Sequence, residues 1–127
     1  MATQIPQPVT HVYKEINVGK YKSVKHYELI KSNKTPTLSN QINISKDRNC
    51  AQSMPEYWLK LKDGKKWTRC ITGLFKTEKR NIFKGDANKK KHLLLFKFSD
   101  NASTLTILYF ENHYTKDLTN LYTLFTD

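Results

Sequence analysis

The residues with the most chemical promise lie on either side of one dipeptide. Asp63-Gly64 separates two alternating runs, residues 57–62 and 65–75. Asp-Gly in that setting signals a hairpin, because a type I′ turn needs positive φ at both central positions. A two-residue turn there sets Lys62 opposite Lys65, Lys60 opposite Trp67 and Trp58 opposite Arg69. Cross-strand partners share a face of a sheet. One face is therefore expected to carry Trp58, Lys60, Lys62, Lys65, Trp67 and Arg69, and the other Tyr57, Leu59, Leu61, Thr68 and Cys70 as a core side.

Two indoles interleaved with four cations suit single-stranded nucleic acid. Bases stack on aromatic rings for about 1–3 kcal/mol each while cations meet the phosphates, and every base offers a π face. The same two tryptophans would serve equally as core beneath the N-terminal half, with Lys60 and Arg69 snorkelling at the edge or lying over the rings. The register decides between these readings.

The charge favours a polyanionic partner. The 127 residues carry a formal net charge of +11, which points to nucleic acid, an anionic surface or an acidic protein. It is unevenly placed. Residues 57–92 hold twelve basic and three acidic side chains, whereas residues 93–127 hold two and four. Lys89, Lys90 and Lys91 form a run that extends the positive track. Arg48, Arg69 and Arg80 are the only arginines. Lysine is a flexible point charge, and bidentate reading of guanine favours arginine, so backbone contact with little sequence preference is expected.

Other chemistry lacks its residues. His11, His26, His92 and His113 are scattered, and none makes a metal-ligand spacing with Cys50 or Cys70. No P-loop, dinucleotide fingerprint or nucleophile elbow occurs, and the acidic residues are too dispersed for a two-metal site. A non-enzymatic protein with no cofactor and no metal is expected. The apolar runs are too short to span a bilayer, and Met1 to Pro8 has neither the basic start nor the apolar stretch of a secretory signal. A cytoplasmic location is expected, the host cytoplasm if the chain is phage-encoded.

The elements that must position the hairpin are unevenly legible. Residues 11–18 alternate as a strand; residues 21–31 fit neither period cleanly; residues 32–53 are polar, contain Pro36 and read as irregular. Residues 81–84 suggest a short strand. Residues 92–99 and 104–110 predict a second hairpin across a four-residue loop, with Leu94, Phe96, Phe98, Leu105, Ile107 and Tyr109 on one face. The opposite face is also largely apolar, so cover on both sides is expected, by a C-terminal helix and by a second subunit or the N-terminal segment. In residues 115–125, Leu118, Leu121, Tyr122 and Phe125 fall on one face of a helix.

The expectation is thus one domain, 1–127, of α+β class. It comprises an antiparallel sheet of two hairpins and a C-terminal amphipathic helix (54–127), preceded by a partly irregular N-terminal arm (1–53). In coarse element order this resembles the dimeric single-strand binders of the transcriptional-coactivator and Whirly type, without a shared motif. The expected function is binding of single-stranded DNA or RNA by Trp58, Lys60, Lys62, Lys65, Trp67, Arg69, Lys89, Lys90 and Lys91, with a homodimer as a secondary expectation. The rival is a phage or mobile-element accessory or structural protein that docks an acidic partner or assembles with itself.

Overall fold

A computed structural model describes residues 7–16, 24–36, 38–46, 56–67, 72–85, 93–111 and 118–125. They form nine strands and one 3-10 turn: β1 Val9–Ile16, β2 Val24–Ser32, β3 Gln41–Ser45, β4 Tyr57–Asp63, β5 Lys66–Trp67, β6 Thr72–Lys76, β7 Ile82–Gly85, β8 Leu93–Phe98, β9 Thr104–Phe110 and the turn Leu121–Leu124. Eight strands follow one another around a ring, each antiparallel to its neighbours. β9 pairs back with β1, and β3 pairs with β4. The sheet therefore closes on itself as an up-and-down barrel. Only β5 lies outside the ring, as a two-residue return strand on β4.

Closure gives each stave an inner and an outer face. Tyr13, Tyr27, Ile42, Ile44, Leu59 and Leu74 point inward with Phe96, Phe98, Leu105 and Ile107, and these ten buried side chains make one continuous interior core. The expected face of the second hairpin is confirmed, since Phe98 pairs with Leu105 and Phe96 with Ile107. The outward residues Leu93, Leu95, Leu108 and Phe110 make a second cluster under Leu118 and Leu121. Runs such as Leu93-Leu94-Leu95-Phe96 are apolar throughout because both of their faces are covered.

The expected α+β class is overturned. Strands account for 62% of the described residues, and no C-terminal amphipathic helix forms. Leu118, Leu121 and Tyr122 do pack on the sheet, the last two from a four-residue 3-10 turn and Leu118 from the bend before it. Eclipsed i, i+3 side chains in such a turn bring Leu118, Leu121 and Leu124 to the same surface. Threonines explain why the turn does not lengthen: the Thr123 hydroxyl donates to the Asn120 carbonyl at 2.6 Å, and β-branched residues are poor helix formers. Residues 115–117 of the expected helix lie outside the described residues. With the helix goes the likeness to the Whirly and coactivator binders.

The N-terminal arm is corrected too. β1, β2 and β3 are three of the eight staves. β2 escaped a clean period because Lys25 takes an inward position at the barrel's end, where its ammonium meets the Glu15 carboxylate at 2.9 Å. A register shift between Val12 and Tyr13 further breaks the alternation across from β2. β3 was hidden in a polar segment because only Ile42 and Ile44 face inward. Of the two covers expected for β8 and β9, the outer one is the chain's own C-terminal residues Leu118 and Leu121, and the inner one is the other staves, those of the N-terminal segment among them.

Gly85 tests the closure. A Cβ there would stand 2.9 Å from Leu94 Cβ, 3.0 Å from Thr72 Cγ2 and 3.1 Å from a Phe96 ring carbon, so β6, β7 and β8 converge on a position that admits no side chain. Gly85→Ala is expected to lower stability by about 1–3 kcal/mol through overpacking, read as a lower denaturant midpoint at unchanged slope.

Candidate nucleic-acid interface

The hairpin that carries the aromatic and basic residues forms, with a different register. Lys62 pairs with Trp67 and Asp63 with Lys66, so the turn residues are Gly64 and Lys65 rather than Asp63 and Gly64. Gly64 has φ +61, and Lys65 is not among the positive-φ residues. Glycine first and a negative φ second is the type II′ pattern. It wins because the chain needs only one left-handed residue and places glycine there. Further down, Tyr57, Trp58 and Leu59 pair with Leu74, Gly73 and Thr72. Both offsets from the expected register are even, so side chains keep their faces: Tyr57, Leu59 and Leu61 pack with the interior, and Trp58, Lys60 and Lys62 point outward.

The two tryptophans fare differently. Trp58 is only 9% exposed although it sits on the outer face. Its neighbours across the strands are Ser45 and Gly73, and Gly73 has no side chain to push the indole outward. It is packing rather than a platform. Trp67 is half-buried. Its ring centroid lies 5.3 Å from that of His26 at an edge-on angle of 69°, and the Lys62 ammonium stands 5.8 Å from its centroid. The indole is thus fixed between β4 and β2, with Lys62 over the ring.

Around it, Lys60 and Lys62 are half-buried, and Lys65 and Lys66 are exposed. Arg69, Lys89, Lys90 and Lys91 lie outside the described residues. His26, Asn43 and Lys60 make one row across β2, β3 and β4. Asn43 and Ser45 are buried on this face, and the Asn43 Oδ1 and Ser45 Oγ atoms have no hydrogen-bond partner among the described residues. Each such orphan costs about 1–3 kcal/mol. Sequence reasoning missed His26 and Lys66. Nothing local could place His26 beside Trp67, because the contact crosses two intervening strands, β3 and β4. Among the described residues no three His, Cys, Asp or Glu side chains gather as a metal site, and no helix is long and apolar enough to cross a membrane.

No family model, curated protein or solved structure matches this chain.

His26 reports on the site. Burial and the nearby Lys62 charge both hold its imidazole below the usual histidine pKa, burial contributing more. Lys62→Gln removes a like charge, so the His26 pKa is expected to rise towards 6.5. A titration of the imidazole proton resonances checks this; an unchanged midpoint would separate Lys62 from the His26–Trp67 contact.

Proposed function

We propose that the protein binds single-stranded DNA or RNA, without catalysis, through the outer face of the β4–β5 hairpin. Trp67 is the stacking ring. Lys60, Lys62, Lys65 and Lys66 meet phosphates, and Arg69 with Lys89, Lys90 and Lys91 extends the positive track. Trp58, nearly buried, is packing and does not touch bases. The observation that carries this reading is a half-exposed indole braced by Lys62 and His26 in the segment that concentrates the net charge. A braced ring loses little freedom when a base stacks on it, and that raises affinity without sequence reading. The arginine-poor composition fits backbone contact better than base recognition.

Titration with a short oligothymidylate, followed by intrinsic fluorescence, tests the proposal. Binding is expected to quench emission and to weaken with salt, with a log–log slope near −2 to −3 if about four phosphates are neutralised on a single strand. Trp67→Ala is expected to keep its backbone amide dispersion and lose roughly tenfold in affinity, the value of one stacked base. Trp58→Ala is expected to lose about 3–5 kcal/mol of stability, as a buried aromatic does. Absence of binding at low salt overturns the reading.

A further inference from the structure

One end of the barrel is not filled. Eight strands enclose an interior just wide enough for side chains or for one small ligand. At the end marked by the first residue of β4, the residue after β3 and the β8–β9 loop lies a cavity of about 540 Å³, within the range of pockets that take a single small molecule. Its wall is aromatic. Phe83 meets Phe98 at 5.6 Å and Tyr57 at 5.5 Å between centroids, both edge-on. These rings pack edge to face against one another, and the cavity opens beside them. Ile44 and Ala102 complete the apolar lining.

The described polar groups at the rim are mostly engaged within the protein. Lys25 is held by Glu15 at 2.9 Å. Asn81 Nδ2 donates to the Asp100 carboxylate at 2.9 Å, and Ser99 Oγ accepts from the Thr104 amide at 3.0 Å. Lys46 differs: it is exposed, and its ammonium stands 5.6 Å from the Tyr57 ring centroid without an ion pair among the described residues. A second feature marks the same place. Asn81 (φ 64) and Ala102 (φ 58) are the positive-φ non-glycine residues of the described chain, and both line the cavity. For alanine this backbone costs about 1–2 kcal/mol. It is held by the Ala102 amide donating to the Ser99 carbonyl at 2.8 Å and by the Tyr27 hydroxyl donating to the Ala102 carbonyl at 2.7 Å. Both residues belong to the tight turns that shape the cavity's rim.

We infer that this cavity binds one flat, largely apolar molecule carrying an anionic group. The apolar body lies among Tyr57, Phe83 and Phe98, and the anion faces Lys46, which stands over the same aromatic cluster. The site is separate from the outer face of the β4–β5 hairpin and does not depend on nucleic-acid binding.

Two fluorescent probes of similar shape test this on the full chain: anilinonaphthalene sulfonate, which is anionic, and N-phenylnaphthylamine, which is neutral. Saturable binding of one sulfonate probe per chain is expected, tighter than the neutral probe, with amide shifts at Lys46, Tyr57, Asn81 and Ala102. Lys46→Glu, at an exposed position, is expected to weaken the sulfonate about fivefold and leave the neutral probe unchanged, with the near-ultraviolet signature intact. Failure of both probes to bind the folded protein, or shifts confined to other regions, overturns the site. Equal affinities for the two probes, with no effect of Lys46→Glu on either, overturns the anionic class.

Discussion

The pairing of β3 with β4 is the contact on which the architecture rests. Without it, the eight strands would be an open sheet with two bare edges, one at a five-residue strand from a polar segment. Open edges invite association with other chains, and closure removes them. The seam holds through four residue pairs, from Ile42 with Leu61 to Ser45 with Trp58. Ile42 and Ile44 anchor it from inside, both buried in the common core. A short strand with two inward isoleucines suffices because the ladder and the core are completed by the same event.

Closure also fixes the distance across the barrel, and the side chains must fit what results. Along the barrel Tyr13, Leu105 and Ile107 are among the side chains that fill the space. Towards one end, Phe83 meets Tyr57 and Phe98 edge-on, with Lys25 and Glu15 as an ion pair nearby. The barrel is solid along much of its length and hollow at one end.

The outer surface is divided as well. β8 and β9 carry an apolar face covered by Leu118 and Leu121, whereas β4 and β5 carry lysines around Trp67. The acidic-leaning C-terminal third thus supplies the barrel's apolar side, and the basic middle third supplies its charged side. The chain's asymmetric charge becomes an asymmetric surface, because strands close in sequence are neighbours in an up-and-down barrel.

Alternation by itself determined much: the four-residue loop of the β8–β9 hairpin, the inward set from Leu94 to Ile107, and the inward placement of Tyr57, Leu59 and Leu61. Those readings need only a period of two and a turn. The face holding Trp58, Lys60 and Lys62 was legible even though its register was not, because each slip was by an even number of residues. Only the tertiary structure decided that Gly64 rather than Asp63 leads the turn, that Trp58 is buried while Trp67 meets His26, and that Leu121–Leu124 form a 3-10 turn rather than part of a longer helix. It alone showed that the polar segment hides β3 and that closure leaves a cavity. The physical reason is common to all of these. Each depends on contacts between strands distant in sequence, and local propensity carries no information about which partner a face will find.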